Sequence, residues 1–347
     1  MTSPIKTGVG LALLAAIAFG VTIPIVAWAG HGLGPFTTAA LLYLGAAVAA
    51  LTLRAIAGRS PAALRRSDAG RVIAVALVGG ALAPTLLAWG LQRTGATVGS
   101  LLLNLEAVFT VVLARIIYRE PIGRRVTIAV IAMASGGVAL TLDLGHVANA
   151  GLLGVLAIGG ATAAWSLDNT LTRPLAERDP LDVVTAKAAV GSALTGLLAL
   201  AFGEPLPSVV AGATLLGCGA TGYGLSLRLY LLAQRRIGAG RTGSVFALAP
   251  FIGAGLAVAI GERAYGSGTL IAAALFATGV YLHASERHAH DHVHEPTEHD
   301  HVHRHDDGHH DHAHDPPAIG EHAHSHRHDG VAHAHEHAPD VHHSHRH

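Results

Sequence analysis

A few polar residues inside long apolar segments are the first places in this sequence where chemistry could occur. Glu106 and Asn104 stand near the middle of the stretch from Thr97 to Glu120, which is about as long as a helix that crosses a bilayer. An unpartnered carboxylate there costs several kcal/mol, and burial disfavours its charged form, so protonation near neutral pH is feasible. We expect Glu106 to be a proton-coupling or cation-binding group. A structural carboxyl group, hydrogen-bonded to Asn104 or to a helix end, is the alternative.

Polar residues also occur in two later apolar segments. Asp168 and Asn169 come late in the sixth segment, where they could gate the inner mouth of a bundle. An interfacial cap, or an ion pair between Asp168 and Arg173, is an equal alternative. Arg228, about five residues from the end of the eighth segment, could either extend its guanidinium to the interface or partner a carboxylate such as Glu106.

Two tryptophans are candidates for a binding cavity. Trp89 and Trp165 each lie within an apolar segment, where an indole could line a pocket for an organic molecule. Packing or interfacial roles are the alternative for both residues.

The histidines form a second kind of chemical group. Of the 26 His residues, 23 lie between His288 and His347, interleaved with carboxylates in His-x-His repeats. Imidazole suits Zn, Ni and Co ions, so many weak, overlapping sites would make this tail a metal buffer. A solvated tail with no role in the cell is the alternative. The candidate ligands are His288, His290, His292, His294, His299, His301, His303, His305, His309, His310, His312, His314, His322, His324, His326 and His328.

The remainder of the chain has the composition of a multi-pass membrane protein. Ala, Leu, Gly and Val dominate, Lys, Asp and Glu are scarce, and apolar runs of roughly 20 residues recur. The tail has no apolar periodicity and is expected to be disordered. The runs predict ten transmembrane helices at about residues 8–29, 37–53, 72–91 with a kink at Pro84, 97–120, 126–142, 151–172, 183–202, 209–232, 242–260 and 269–283.

The distribution of Lys and Arg predicts an orientation. With a cytoplasmic N-terminus, sixteen of these residues fall in inside segments, Lys187 included, and two, Arg93 and Arg263, fall in outside loops. Positive charge favours the cytoplasmic side. We therefore expect both termini to be cytoplasmic, in the cell (inner) membrane.

The two halves of the helical part repeat each other at a spacing of roughly 143 residues. Gln92-Arg93, Gly95-Ala96 and Gly99-Ser100 recur as Gln234-Arg235, Gly238-Ala239 and Gly243-Ser244. Five helices per repeat, an odd number, predict that the second copy is inverted in the membrane. Pro250 stands where Glu106 stands in the first copy, so one repeat brings a titratable group to the shared cavity and the other brings a bend.

These segments resemble the EamA-type domain of the drug/metabolite transporter superfamily. LLLNLEAVFTVVLARIIYRE is similar to the fourth helix of such repeats, GSVFALAPFIGAGLAVAIGER to the ninth, and AWSLDNTLTRPLAERDPL to the sixth helix and following loop of one subgroup. The resemblance implies a ten-helix transporter, often an exporter of amino acids, metabolites or toxic compounds, and fixes no substrate. Many members have Pro in the fourth helix, where this chain has Glu106.

No enzyme signature accompanies this pattern. The two G-x-G-x-x-G strings, at 217–222 and 238–243, follow no strand, and no Walker lysine, H-E-x-x-H or G-x-S-x-G motif occurs. Cys218 is alone, which excludes a disulfide framework or a thiolate metal cage. We expect a protein that is not an enzyme and requires no cofactor. Its expected partners are lipid, a small-molecule substrate, divalent metal ions and, as an assembly to test, a second copy, with no nucleic acid.

The expected architecture is therefore an all-α membrane protein of two inverted five-helix repeats (8–142 and 151–283) and a metal-binding tail (288–347). Three functions fit it. The first is a secondary transporter that exports a small organic metabolite or amino acid, with a regulatory tail. The second is an exporter of Ni, Co or Zn whose tail collects the ion, and the third is a membrane-anchored metal sensor or store.

Overall fold

Ten helices that are long and apolar enough to span a membrane make up the body of the protein. The computed structural model describes residues 4–57, 63–117, 122–144, 148–175, 178–237, 239–263, 266–285, 289–293, 297–303, 322–328 and 332–336. The ten spans lie within this part of the chain. They confirm the predicted all-α membrane fold.

The first repeat contains helices α1 to α5. Its uninterrupted helices are α1 (Pro4–Ala29), α2 (Pro35–Ala57) and α5 (Arg124–Leu144). Helix α3 follows a short 3-10 turn (Arg66–Asp68) and has three parts: Ala69–Val75, a π-helical segment Ala76–Leu82, and Ala83–Thr94. Helix α4 has two parts, Ala96–Leu102 and Leu105–Ile117.

The second repeat, α6 to α10, has the same irregularities in the same places. Helices α6 (Ala148–Thr172), α7 (Pro180–Ala201) and α10 (Ser267–Ala284) are uninterrupted. Helix α8 consists of Val209–Cys218, a π-helical segment Gly219–Leu225, and Ser226–Ile237. Helix α9 breaks into Ala239–Phe246 and Ala249–Ala259. The two π segments begin 143 residues apart, so the sequence repeat has a structural counterpart.

The break in α4 corrects the prediction of one continuous helix over 97–120. The amides of Leu103 and Asn104 donate to carbonyls three residues earlier, at 3.1 Å, which tightens the chain into a turn. The Asn104 side chain adds to this, because its Nδ2 donates to the Leu101 carbonyl at 3.0 Å and so competes with the helical hydrogen bonds. Residues 118–120, including Glu120, lie outside the described residues.

Proline accounts for the corresponding break in α9. Pro250 has no amide N–H, so the carbonyl of Phe246 loses its usual helical partner and the first part of the helix ends there. In α3 the predicted disturbance at Pro84 takes the form of the π segment, which ends two residues before the proline. The other helices extend the predicted spans by a few residues at one or both ends.

Contacts between helices follow the pseudo-two-fold relation of the repeats. Helix α2 packs along α7 and α5 along α10, so each helix meets its own counterpart. Likewise α1 packs on α8 and α9, while α6 packs on α3 and α4. Small residues permit these approaches: a Cβ on Gly191 of α7 would lie 2.5 Å from the Gly80 carbonyl oxygen in the π segment of α3.

Four short strands occur in the His-rich segment, where the sequence predicts disorder. β1 (Ala289–Val293) pairs antiparallel with β4 (Ala332–Glu336), and β2 (Thr297–His303) with β3 (His322–His328). The alternating His-x-His sequence has the period of a strand, which accounts for the difference. Two-stranded ribbons are marginal in water on their own, so these strands supply no core like that of the helical bundle.

Candidate functional site

The Glu106 carboxyl group lies at the start of the second part of α4, immediately after the break. Its Oε1 accepts a hydrogen bond from Nδ2 of Asn169 on α6, at 2.8 Å. Ser166, one turn earlier on α6, donates from its hydroxyl to the Glu106 backbone carbonyl at 2.8 Å. Glu106 is half-buried and Asn169 is exposed at this position. The structure therefore brings two predicted site residues together and gives Glu106 an amide partner.

Asp168 has a cationic partner that the sequence analysis missed. The Lys187 ammonium on α7 forms an ion pair with Asp168, whose residue is only 2% exposed. Lys187 lies seven residues into α7, so the prediction that counts it among the charges of the inside segments is wrong. Gly79 of α3 makes room for the pair, since a Cβ there would lie 2.2 Å from the Asp168 carboxyl carbon. The scarcity of lysine in the apolar segments was the available signal.

Helix α3 contributes to the same region a backbone carbonyl, that of Gly79, which has no hydrogen-bond partner within its own helix. In the π segment the Ala83 amide donates to the Val78 carbonyl, so it is not the partner of the Gly79 carbonyl. Five residues beyond Gly79 is Pro84, which has no N–H to offer in a π-helical bond. The Gly79 carbonyl therefore needs partners from outside its own helix.

Two aromatic side chains supply those partners. The Tyr43 hydroxyl on α2 and Nε1 of Trp165 on α6 both donate to the Gly79 carbonyl, the latter at 3.2 Å. Tyr43 also lies within electrostatic range of the Asp168 and Glu106 carboxyl groups. The predicted cavity residue Trp165 is thus fixed at the centre of the bundle, next to the polar residues of α6.

An aromatic chain continues from this point through the bundle. The ring centroids of Tyr223 and Phe19 are 5.5 Å apart, and those of Phe19 and Phe246 are 5.7 Å apart. Phe246 and Tyr230 are 5.1 Å apart, and Tyr230 lies within electrostatic range of the Glu106 carboxyl group. We call this set the aromatic chain; its members are Tyr43, Tyr223, Phe19, Phe246 and Tyr230, with Trp165 beside Phe19 and Tyr223.

A fully buried polar atom of the aromatic chain, on Tyr223, has no partner among the described residues. The Tyr223 hydroxyl is buried without a hydrogen bond, and the residue is 7% exposed. Buried hydroxyl groups are normally paired, so this donor is available to a bound molecule.

The other predicted residues lie apart from this cluster or act differently. Asn104 shapes the α4 break and Pro250 shapes the α9 break. Arg228, half-buried on α8, makes no hydrogen bond or ion pair with any described residue. Trp89 stacks on Arg93 near the end of α3, with the guanidinium carbon 3.6 Å from the ring centroid.

Three carboxylates each accept hydrogen bonds from the start of a helix in the other repeat. All three lie at the end of the bundle where α1 ends and α2 begins, which we call the α1–α2 end. Glu204, after α7, accepts from the amides of Phe36 and Thr37 at the start of α2, at 3.2 and 2.6 Å. Glu262, after α9, accepts from Ala96 and Thr97 at the start of α4, both at 3.1 Å. A negative charge at a helix N-terminus is favourable, so these contacts join the repeats.

Asp143 is the third of these carboxylates. Near the end of α5 it accepts from the amides of Gly266, Gly268 and Thr269 at the start of α10, at 2.9 to 3.3 Å. It also accepts from the Thr269 hydroxyl at 2.7 Å. Glu204, Glu262 and Asp143 thus each cap a helix terminus of the other repeat.

The predicted metal ligands fall partly within the described strands. The strand register sets His opposite His at five positions: His290 and His335, His292 and His333, His299 and His326, His301 and His324, and His303 and His322. His328 lies opposite Thr297. The candidates His288, His294, His305, His309, His310, His312 and His314 lie outside the described residues.

The central arrangement can bind a polar molecule reversibly. It offers the Glu106 carboxyl group with a neutral amide partner, and an ion pair between Asp168 and Lys187 whose charges cancel. It also offers aromatic faces and the unpartnered hydroxyl of Tyr223. Helices from both repeats contribute to it, since α1 to α4 and α6 to α9 supply the residues. A site at the interface of two inverted repeats with broken helices is the arrangement found in secondary transporters.

Comparison with known proteins agrees with this architecture. The model of the EamA-like transporter family matches residues 6–142 and 152–285, one match for each repeat. A protein of Methanothermobacter thermautotrophicus described as an uncharacterised transporter is 27% identical over 236 residues, or 65% of this chain and 67% of its own.

A solved crystal structure shares the fold. It covers 79% of this chain and 96% of its own, with a TM-score of 0.61 and 19% sequence identity. Together the double family match and the ten spans confirm the predicted pair of five-helix repeats. The chain belongs to the EamA-like transporter family of the drug/metabolite transporter superfamily, and it is a multi-pass membrane transporter rather than an enzyme.

Proposed function

We propose that this chain is a secondary active transporter that exports a small organic metabolite or amino acid by alternating access, with Glu106 as its coupling group. It acts in the cell (inner) membrane with both termini in the cytoplasm. The observation that carries the proposal is the hydrogen bond from Asn169 to Glu106 at 2.8 Å. An amide accommodates either protonation state of the carboxyl group, so Glu106 can gain or lose a proton without breaking an ion pair.

The helix irregularities support alternating access. Both repeats carry a π segment and a broken helix at matching positions, and the central site lies where the repeats meet. Rocking of one inverted repeat against the other opens such a site to either side of the membrane in turn. The breaks supply the local flexibility, because the turn at Asn104 and the proline at position 250 leave the helix halves without continuous hydrogen bonding.

The orientation is supported by charge. Lys187 lies within α7 and no longer counts as a loop charge. Fifteen of the sixteen Lys and Arg residues therefore remain on the side proposed as cytoplasmic, and two lie on the other side. Arg54 pairs there with Asp179 at 2.8 Å and Asp182 at 3.0 Å, and Arg178 pairs with Asp68 at 2.8 Å. In this proposed orientation the His-rich tail lies in the cytoplasm.

The tail is proposed to bind Zn, Ni or Co ions and to regulate the transporter. Its support is the density of His residues and the register that sets His opposite His at five positions. The same tail favours a second candidate function, export of a divalent transition metal that the tail collects. Against it, Asp168 is engaged by Lys187, which leaves Glu106 as the carboxylate of the central site.

A liposome assay tests the proposal. Purified full-length protein is reconstituted into liposomes and screened with a panel of amino acids, amines and other small metabolites. Each solute is tested with and without a pH gradient, and with and without Zn and Ni. Wild type is compared with Glu106→Gln. We expect a pH gradient to drive transport of at least one organic solute by wild type. Transport by the variant should fall by about tenfold or more, because Gln cannot exchange a proton.

The matched control is Glu298→Gln, the same substitution in the His-rich tail outside the helical bundle, which should transport as wild type does. Gln at 106 keeps an oxygen that accepts from Asn169, so its expression and thermal unfolding should match those of wild type. Equal gradient-driven transport by Glu106→Gln and wild type would rule out the coupling role.

A further inference from the structure

We propose that the transported solute is an organic amine, whose ammonium group pairs with Glu106 while its apolar or aromatic body lies along the aromatic chain. This inference rests on the proposed transport function and specifies its substrate class. It follows from the charge of the site, the surfaces around the carboxyl group and the unpartnered phenol.

The charge of the site calls for a cation. Among the described residues, the charges that act on the Glu106 carboxyl group are those of Asp168 and Lys187. These two neutralise each other as an ion pair, so within the described part of the chain the partner of the ionised Glu106 side chain is the neutral Asn169 amide. A charge that is partly withdrawn from water is stabilised by a counter-charge, and a bound ammonium supplies one.

The same charges disfavour a solute with its own carboxylate. Lys187 is held by Asp168, and Arg228 forms no ion pair with Glu106 in the described structure. A zwitterion bound at Glu106 would therefore bring a second negative charge to a site whose nearby cation is already engaged. A simple amine fits better than an amino acid.

The surroundings favour an organic cation over a bare metal ion. Tyr230 lies within electrostatic range of the Glu106 carboxyl group, and Phe246 is 5.1 Å from Tyr230 between ring centroids. Aromatic faces attract ammonium groups through cation–π interactions, whereas Ca²⁺ and Mg²⁺ require about six or more oxygen ligands. The rings continue through Phe19 to Trp165, so they can cover a body several carbon atoms long.

Tyr223 adds a second polar contact to the body of the solute. Its hydroxyl is buried and unpartnered, and its ring lies 5.5 Å from Phe19 and 5.7 Å from Tyr43 between centroids. A hydroxyl, ether or carbonyl oxygen on the solute would satisfy this donor. The proposed substrate therefore carries an ammonium at one end and tolerates an oxygen further along.

Trp165 provides a direct reporter of binding. The chain has three tryptophans, so the double substitution W28F/W89F leaves Trp165 as the sole one. Full-length protein with this background is placed in lipid nanodiscs and titrated with 2-phenylethylamine, L-phenylalanine and 2-phenylethanol, which share one aromatic body and differ in charge. We expect Trp165 fluorescence to report binding of the amine at least about tenfold tighter than of the other two.

Two further variants test the contacts. Glu106→Gln should abolish the preference for the amine over the alcohol, and Phe246→Leu should weaken amine binding severalfold. Phe36→Leu is the matched control, because Phe36 stacks on Phe202 at the α1–α2 end, 5.5 Å between centroids and outside the aromatic chain. It should bind the amine as the W28F/W89F background does.

The outcomes separate this inference from the transport function. Equal or tighter binding of phenylalanine or the alcohol, or an unchanged amine preference in Glu106→Gln, overturns the amine class. If such protein still transports another organic solute in liposomes, the transport function stands without it. Selective amine binding that depends on Glu106 supports the inference, and its absence from a protein that unfolds normally refutes it.

Discussion

The ion pair between Asp168 and Lys187 joins two side chains of the central site on different helices. Both groups are largely shielded, with side-chain exposures of 4% and 12%. Removal of one member of a buried pair leaves the other charge uncompensated and typically costs about 3–5 kcal/mol. Replacement of both leaves no orphaned charge.

We therefore expect Lys187→Met to lower the unfolding temperature of the purified protein markedly and Asp168→Leu/Lys187→Met to recover most of the loss. Thermal unfolding followed by tryptophan fluorescence in detergent measures this. Arg178→Met is the matched control near a helix end, where the pair with Asp68 is more exposed and its loss should cost less. A Lys187→Met protein as stable as the Arg178→Met protein would contradict the prediction.

At this scale the sequence identified the unusual groups better than their partners. Glu106, Asp168 and Asn169 stand out because polar residues are rare in apolar segments. Their pairing depends on how α4, α6 and α7 cross, which residue types do not encode. Lys187 was misplaced for a related reason: a lysine within two turns of a helix start resembles an interfacial charge, and only the α6 contact shows that it points inward.

Among the elements, the π segment of α3 determines where two aromatic side chains can bind. It leaves the Gly79 carbonyl without a helical partner because Pro84 has no N–H, and Tyr43 and Trp165 take its place. A hydrogen bond of this kind contributes about 1 kcal/mol net, and more when its loss leaves a buried group unpaired.

A double-mutant cycle tests this dependence. Tyr43→Phe should cost about 1 kcal/mol in the wild-type background. In the Pro84→Ala background the new amide can satisfy the Gly79 carbonyl, so the same substitution should cost less than half as much. The free energy of unfolding of the four proteins gives the coupling. Equal costs in both backgrounds would show that Pro84 and Tyr43 act independently.

The carboxylates at the α1–α2 end close that end through helix termini. Glu262→Gln replaces a charged acceptor at the start of α4 with a neutral one, and a lost cap costs about 0.5–2 kcal/mol. We expect the variant to open this end more often. In a Cys218→Ser background, a cysteine at Ala96, which is 5% exposed, should react faster with a membrane-impermeant maleimide.

Arg263→Gln is the control for this labelling, since it changes a neighbouring charge and leaves the cap intact. With cysteine at position 96, the Arg263→Gln protein should react at the same rate as the protein that keeps both Glu262 and Arg263. If Glu262→Gln leaves the labelling rate unchanged as well, the cap does not restrain the opening of that end.

Irregular elements were the least predictable part of the fold. The apolar run over 97–120 continues through Asn104 without any change in hydropathy, and the break follows from one side-chain hydrogen bond to Leu101. Pro84 and Pro250 did signal disturbances, but proline alone does not distinguish a kink, a π segment and a complete break. Each outcome depends on the neighbouring helix: at Gly79 the aromatic donors stabilise the π segment.

At the scale of the whole molecule, inversion of the repeats gives the two ends different kinds of contact. The α1–α2 end is held by Glu204, Glu262 and Asp143 at helix N-termini, and the opposite end by the ion pairs of Arg54 and Arg178. All of these contacts join one repeat to the other. A rocking motion must break one set while the other persists, so their relative strength sets which side is open.

The His-rich tail is the part of the molecule whose role depends least on the bundle. Its strands pair with each other, β1 with β4 and β2 with β3, and the bundle's own core is formed by the helices. We therefore expect deletion of 288–347 to leave thermal unfolding of the bundle and its basal transport of organic solute unchanged.

The same deletion separates the candidate functions. Zn and Ni binding, measured by equilibrium dialysis on the full chain and the truncated chain, should fall to near zero without the tail, because imidazoles are its ligands. If the tail regulates an organic-solute transporter, metal should alter transport by the full chain only.

Loss of metal efflux with organic transport intact would favour a metal exporter. A bundle inert in both assays would favour a sensor or store, and metal binding that survives the deletion would place the metal site in the bundle.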